Sequence, residues 1–348
     1  MKAAVLYANG DIRFEEYETP EVIEGHVKVR VRVSGICGSD VPRVLHNGAH
    51  SYPIVLGHEF AGDVVEVGEG VTELKIGDAV TGVPLLPCME CDDCAKGNYA
   101  LCRKYSFIGS RVQGSFAEYV VLPEKNAVKF DPIIPYEQAA MFEPSTVALH
   151  GVFCNDYRGG GIVAVLGCGT IGIYTLQWAR IFGAKSIVAF DVDERRLAMA
   201  KRMGADLAIN TTQPGFEKIA LDFTEGKGFD YTFEVAGNPL TMTAGFALTA
   251  NRGNMCCIGT PGVQLKFSKA EWEQLNRKEF KLTGSWMSYS SPFPGPEWTL
   301  TAHYLATGQL KFDPELIYKK FFLSQVADAF EEFRNPKNVH GKIMLINE

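Results

Sequence analysis

Four cysteines, Cys88, Cys91, Cys94 and Cys102, fall within fifteen residues in the spacing C-x2-C-x2-C-x7-C. Thiolates at this spacing can close a tetrahedral shell with the loop wrapped about the ion. Four sulfurs leave no coordination position open, so the expected ion is a structural zinc. An iron–sulfur cluster is the rival, but such runs continue to C-P after three residues, and here AKGNYAL intervenes. Plain loop thiols are the third possibility.

A second set is dispersed: Cys37-Gly38-Ser39-Asp40, then Gly57-His58-Glu59, then Glu143-Pro144. Each is ordinary alone, since a lone His or Cys is more often a packing residue than a ligand. Together Cys37, His58 and Glu143 offer a thiolate, an imidazole and a carboxylate with one position to spare. A catalytic zinc needs such a set. Spacing alone leaves that reading and the packing one level. Asp40 is a natural partner for the His58 ring nitrogen facing away from a metal.

The third feature is Gly167-Cys168-Gly169-Thr170-Ile171-Gly172. It follows the apolar run Ile162–Leu166 and opens the expected helix Ile171–Phe182, and Asp191 ends the next apolar run nineteen residues on. Gly167 permits the tight turn, Gly169 a close approach of backbone to a diphosphate, and Gly172 close helix–strand packing. The diphosphate is expected over the helix N-terminus, against Thr170 and Ile171. A carboxylate at Asp191 would accept from ribose hydroxyls and repel a 2′-phosphate, which indicates NAD rather than NADP. Arg196 is placed with it as a further cofactor contact.

These groups need elements to hold them. In the first stretch HVKVRVRVSGIC alternates, and FAGDVVEVGEG, IGDAVTGVP and GSFAEYVVLP are strand-then-turn runs, which predicts a compact β barrel or sandwich. From GGGIVAVLGCGTIGIYTLQWARIFGA onward, strands alternate with helices, which predicts an open parallel α/β sheet. Residues 153–287 are expected to form that sheet domain, and 1–152 with 288–348 the other. The last segment is expected to carry a helix Trp298–Thr307, another near 324–334 and a closing strand KIMLINE.

A chain of 348 residues exceeds what one core usually supports, which agrees with two domains. Net charge is −7 with no basic stretch, which excludes an electrostatic footprint for nucleic acid or an anionic membrane surface. No window reaches ~18 uninterrupted apolar residues, so no membrane span is expected. The opening MKAAVLYANGDIRF reads as strand rather than signal peptide. The clustered cysteines then fit a reducing cytoplasm better than a disulfide framework.

In order and across the whole chain, these features resemble the zinc-containing medium-chain dehydrogenase/reductase family. The resemblance rests on the CGSD box, GHEFAGDVVEVG, the four-cysteine lobe, the glycine turn and the closing GKIMLI. CGSD with Glu143-Pro144 resembles its polyol branch, where Glu replaces the Cys of alcohol dehydrogenases. HNGAHSYPIVLGHEF, VPLLPC, FIGSR and GSWMSYSSPFPGPEW resemble members acting on hexitol phosphates. The fold implied is a GroES-like β-barrel catalytic domain plus a Rossmann domain with a doubly wound parallel sheet. The resemblance implies two zinc ions per subunit. Cys37, His58 and Glu143 would hold the catalytic one, with Glu59 beside the metal as an intermittent ligand. Ser39 would carry the hydroxyl proton towards solvent. The implied reaction oxidises a secondary hydroxyl of a polyol or polyol phosphate to a ketone with NAD, galactitol 1-phosphate to tagatose 6-phosphate being the leading expectation. A homodimer is implied, with a tetramer open.

Sorbitol, butanediol or L-threonine dehydrogenase-like activity is the enzymatic alternative on the same machinery. A non-catalytic NAD-binding protein would be expected to lack a zinc ligand, and a zinc-free quinone reductase would lack the cysteine lobe. His46, Asn47, His50, Tyr52, Arg111, Trp286 and Tyr289 are candidates for the substrate side, each level with a packing role.

Overall fold

The computed structural model describes residues 1–335 and 338–347. The chain opens with β1 (Lys2–Ala8), β2 (Asp11–Glu16), β3 (His26–Gly35), α1 (Asp40–Leu45), β4 (Ile54–Val55), β5 (Glu59–Val67) and β6 (Ala79–Gly82). The cysteine lobe spans β7 (Leu85–Leu86), α2 (Asp92–Ala95) and β8 (Ser106–Phe107), followed by β9 (Tyr119–Pro123), β10 (Ala127–Lys129) and α3 (Tyr136–Ala139). Next come α4 (Phe142–Cys154), β11 (Ile162–Leu166), α5 (Thr170–Ile181), β12 (Ser186–Asp191), α6 (Glu194–Arg202) and β13 (Leu207–Asn210). The alternation continues through α7 (Phe216–Phe223), β14 (Phe229–Glu234), α8 (Pro239–Leu248), β15 (Thr249–Cys257), α9 (Lys269–Lys278) and β16 (Lys281–Gly284). Last are α10 (Pro296–Ala306), β17 (Ile317–Phe322), α11 (Val326–Glu331) and β18 (Lys342–Ile346). Glu348, the final residue of the expected closing strand, lies outside the described residues.

Two compact units result. The first comprises Met1–Glu143, Tyr289–Gly308 and Pro314–Glu348, the second Pro144–Ser288 and Gln309–Asp313. The boundary read from sequence at 152 falls inside α4. The units part instead at the head of that helix, because its body is fastened within the second unit. Trp178 Nε1 donates to Ser145 O at 3.1 Å, and Thr146 Oγ1 donates to Ser288 Oγ at 2.9 Å. The short return 309–313 is tied in by Lys311 N donating to Gln177 Oε1 at 2.8 Å.

In the first unit, β3 shows why the sequence makes strand. Val27, Val29, Val31 and Val33 are buried while Arg30 and Arg32 are exposed, the two-residue period of a sheet with one covered face. Val27, Val29 and Val31 meet Phe60, Val64, Val80, Val120 and Leu122 in one core. Phe60 is fully buried, which stabilises by roughly 1.5–3 kcal/mol. The seven-stranded sheet runs β10-β6-β5-β3-β18-β17, with β9 also on β3, and a smaller sheet runs β2-β1-β4.

Register is what matters for chemistry. β3 and β5 are antiparallel with Gly35 opposite Glu59, and β18 lies on the other side of β3 with Met344 opposite Gly35. The exit of β3 at Cys37, the entry of β5 at His58 and the start of β18 are thereby brought to one end of the sheet.

The second unit is a six-stranded sheet in the order β13-β12-β11-β14-β15-β16, every pair parallel. Strand order reverses between β11 and β14, and in open α/β sheets ligands bind beyond the strand ends at such a switch. Among the described residues no helix is long and apolar enough to cross a membrane.

Candidate active site

The first donor set is Cys37, His58 and Glu59, whose ligand atoms all lie within 4.8 Å of one another. Cys37 follows β3 and is partly buried; His58 and Glu59 are buried at the start of β5. Two glycines permit this closeness. Gly57 has φ +93, and a Cβ there would stand 2.4 Å from Phe116 Cδ1. A Cβ on Gly35 would meet Glu59 Oε2 at 2.6 Å.

Further groups orient these donors. Asp40 heads α1 and is fully buried; its Oδ2 accepts from Cys37 N at 3.0 Å, and its Oδ1 faces His58 Nδ1 at 3.6 Å. In this orientation Nδ1 faces the Asp40 carboxylate, and Nε2 would be the nitrogen offered to a metal. Ser39 is exposed; its Oγ donates to Cys37 Sγ at 3.3 Å and accepts from Arg43 Nη1 at 2.9 Å. Glu59 is paired with Lys342 at the start of β18. Nζ donates to Oε1 at 2.7 Å and lies 2.7 Å from Oε2.

Glu143, at the head of α4, is buried and belongs to the same electrostatic cluster, although it does not join the three-residue set. Burial pushes its carboxyl up to about 7; His58 opposes that shift and Glu59 adds to it. Burial likewise pushes up the Asp40 carboxyl and, helped by Glu59, the Cys37 thiol. Burial alone would lower the Lys342 ammonium, but the charges of Glu59 and Cys37 hold it above its ordinary value. Fully ionised, the four acids Cys37, Asp40, Glu59 and Glu143 face two cations, Arg43 and Lys342. The excess is two negative charges, which a divalent cation would balance. Buried acids without that balance retain protons instead. The residues therefore fit a zinc ion.

The four-cysteine lobe is the second set, with its Sγ atoms within 4.8 Å of one another. A tetrahedral site with Zn–S near ~2.3 Å places sulfurs about 3.8 Å apart, so this cluster needs only a small contraction to close. Backbone N–H groups already stabilise thiolates there. The N–H of Cys94 is the largest influence bringing Cys91 to about 6, and those of Glu90 and Cys91 lower Cys88. Burial takes Cys94 the other way, to about 12. All nine cysteines are unbridged.

In the second unit, Gly167 sits at φ +108 and a Cβ on Gly172 would stand 1.9 Å from Gly167 O, so helix and turn touch as the motif requires. Gly169 is the N-cap of α5 and supplies no side-chain cap; the space a Cβ would occupy there is empty to 4 Å. The N–H groups of Thr170 and Ile171 stand in that first turn, which suits an anion. Asp191 is buried at the end of β12. Its Oδ2 accepts from Cys168 N at 2.7 Å, and its Oδ1 from Val192 N at 2.8 Å and Asp193 N at 3.0 Å. Arg196 Nη1 lies 4.0 Å from Asp191 Oδ1. The carboxylate thus braces the glycine turn.

Several candidates for the substrate side have structural partners. Arg111 stacks on Tyr105 with its guanidinium 4.3 Å from the ring centroid and donates to Tyr105 O at 3.2 Å. Tyr52 Oη accepts from Ala49 N and donates to Asn9 Oδ1, each at 3.0 Å. Tyr289 is buried and stacked between Phe293 and Trp298. Trp286 is half exposed. Two residues escaped the sequence reading. Lys342 could have been suspected as a lone lysine heading an apolar strand. Arg43 carried no signal beyond lying on the turn after Ser39.

The chain is similar to known proteins along almost its whole length. Residues 23–132 match the alcohol dehydrogenase GroES-like domain, and residues 170–302 the zinc-binding dehydrogenase model. Galactitol 1-phosphate 5-dehydrogenase of Escherichia coli (strain K12) is 38% identical over 99% of this chain and 100% of its own. D-arabitol-phosphate dehydrogenase of Enterococcus avium is 32% identical over 99% of this chain and 97% of its own. The crystal structure of galactitol-1-phosphate dehydrogenase from Escherichia coli superposes with a TM-score of 0.94 at 38% identity, covering 99% of this chain and 100% of that one.

Proposed function

Because the chain belongs to the zinc-containing medium-chain dehydrogenase/reductase family, we propose that it oxidises a secondary hydroxyl of a polyol phosphate to a ketone, with NAD as hydride acceptor. The substrate proposed is galactitol 1-phosphate and the product tagatose 6-phosphate. Two full-length relatives whose names carry a polyol phosphate support that choice. The observation that carries the chemistry is the cluster of Cys37, His58 and Glu59, whose ligand atoms all lie within 4.8 Å of one another at the end of β3 and the start of β5.

Cys37, His58 and Glu143 hold the catalytic zinc in this proposal, and Cys88, Cys91, Cys94 and Cys102 a structural one. Glu59 is the neighbour rather than the permanent ligand, because Lys342 Nζ lies 2.7 Å from both of its carboxylate oxygens. Zinc bound there would supply Lewis-acid polarisation, drawing the pKa of the substrate hydroxyl towards neutrality. Asp40 fixes the His58 ring so that Nε2 faces the metal side. Ser39 Oγ already donates to Cys37 Sγ and accepts from Arg43. Its remaining lone pair can take up the substrate proton as its own Oγ–H turns from Cys37 Sγ and is released to water, which its exposure admits. A carboxylate at 143 in place of a thiolate makes the surroundings more polar, which suits hydroxyl-rich substrates.

In the second unit Gly167, Gly169, Thr170, Ile171 and Gly172 would seat the diphosphate, and Asp191 with Arg196 the adenosine ribose. NAD supplies the hydride acceptor. A negative Asp191 disfavours the 2′-phosphate of NADP. Strand β16 is an edge of its sheet, and exposed edges are usually covered, so a homodimer is proposed, with a tetramer compatible. A reducing cytoplasm would keep both cysteine sets available to metal.

Initial rates of NAD reduction with galactitol 1-phosphate, galactitol, sorbitol, 2,3-butanediol and L-threonine test the reading. A preference for the phosphorylated hexitol is expected. A preference for an unphosphorylated alcohol would overturn the substrate and leave the family chemistry in place.

A further inference from the structure

Among the described residues, every hydrogen bond and ion pair of the Arg43 side chain runs through one nitrogen. Nη1 donates to Ser39 O and to Ser39 Oγ, each at 2.9 Å, and lies 3.5 Å from Asp40 Oδ1. Those partners lead directly to the candidate metal ligands. Ser39 Oγ is bonded to Cys37 Sγ, and Asp40 faces His58 and holds Cys37 N. Among the described residues Nε and Nη2 make no hydrogen bond, and the side chain is 23% exposed.

A guanidinium is planar, so anchoring one nitrogen fixes the direction of the remaining donors. Its Nε–H and Nη2–H form a parallel pair matched to two oxygens of a phosphate. Holding the fork beforehand reduces the ordering cost of binding. Other cations described near this end of the first unit are engaged. Lys342 is buried against Glu59, and Arg111 lies on Tyr105. Two hydrogen bonds, of 2.9 and 3.3 Å, separate Arg43 Nη1 from Cys37 Sγ. The Nε–Nη2 edge lies on the opposite side of the guanidinium from Nη1, so an anion on it would stand on the order of 10 Å from Cys37 Sγ, a span that an extended five- or six-carbon polyol chain covers.

We propose that Arg43 is a specificity-determining residue whose Nε–Nη2 edge binds the phosphate monoester of the substrate while a hydroxyl several carbons along the same polyol is held at the Cys37–His58 centre. The proposal rests on the polyol-phosphate reading above. It divides the guanidinium between two tasks, one nitrogen bracing the metal centre and the other edge reading charge.

The test is the ratio of kcat/KM for galactitol 1-phosphate to that for galactitol, in the wild type and in Arg43→Gln and Arg43→Lys, each with zinc content measured. Damage to the metal centre lowers both substrates alike and cancels in the ratio. The expected result is a fall in the ratio of roughly ten- to a hundredfold for Arg43→Gln, carried by KM, and a smaller fall for Arg43→Lys, which keeps a charge but loses the fork. Inorganic phosphate gives a readout independent of turnover. It should raise the Tm of the zinc-loaded wild type and not that of zinc-loaded Arg43→Gln. An unchanged ratio in Arg43→Gln, with a wild type that prefers the phosphorylated hexitol, would overturn the role of Arg43 alone. A wild type with no such preference would overturn the substrate reading and this inference with it.

Discussion

Single residues decide whether this site can hold a divalent ion. Lys342 and Glu59 form a buried pair, and removing one partner of such a pair leaves an uncompensated charge. Lys342→Met is expected to destabilise the metal-free protein by about 3 kcal/mol in urea unfolding, with part recovered in the Lys342→Met, Glu59→Gln double variant. A cost near zero would mean that Glu59 discharges readily without its partner. Glu143 sets a pH dependence. With its carboxyl raised to about 7, it is largely protonated below that pH and must lose its proton before it can bind metal. Zinc affinity measured by chelator competition should therefore strengthen as pH rises through 7 and weaken as it falls. A flat profile between pH 6 and 8 would remove Glu143 from the ligand set.

At the scale of elements, the cysteine lobe and the glycine turn were legible because their chemistry is local. Thiolate spacing is written in one loop, and Gly167 and Gly172 meet within one strand–helix turn. Cys91→Ser should lower Tm by several degrees with little effect on NAD affinity, and an unchanged Tm would argue against a structural ion in the lobe. What the sequence withheld was register. Nothing in HVKVRVRVSG says that Gly35 lies opposite Glu59, or that β18 lies on the other side of β3 and brings Lys342 to the metal centre. Asp191 could be placed at the end of its strand from sequence, but its three backbone hydrogen bonds could not, since they depend on how β12 ends beside the turn. The pairing of Arg43 with Ser39 was hidden for a similar reason. It depends on the first turn of α1 closing back on the CGSD box.

At the scale of the whole molecule, the expectation of two domains came from chain length and from the change in strand and helix pattern, and the chain divides into two compact units. The boundary was harder, because α4 is continuous through it and only hydrogen bonds such as Trp178 to Ser145 assign the helix body. The edge at β16 leads to the remaining prediction. Light scattering at micromolar protein should give at least twice the chain mass of 38.3 kDa, and a monomer would mean the edge is left to solvent.

The Lys342–Glu59 pair also has a consequence in time. The two residues are separated by 283 positions, and the whole second unit is synthesised between them. A growing chain on the ribosome can therefore close its parallel sheet while Glu59 still waits for its counter-ion. The surroundings of Glu59 are complete only after β18 emerges and inserts beside β3, so the candidate site acquires its finished form late, after most of the polypeptide has been made.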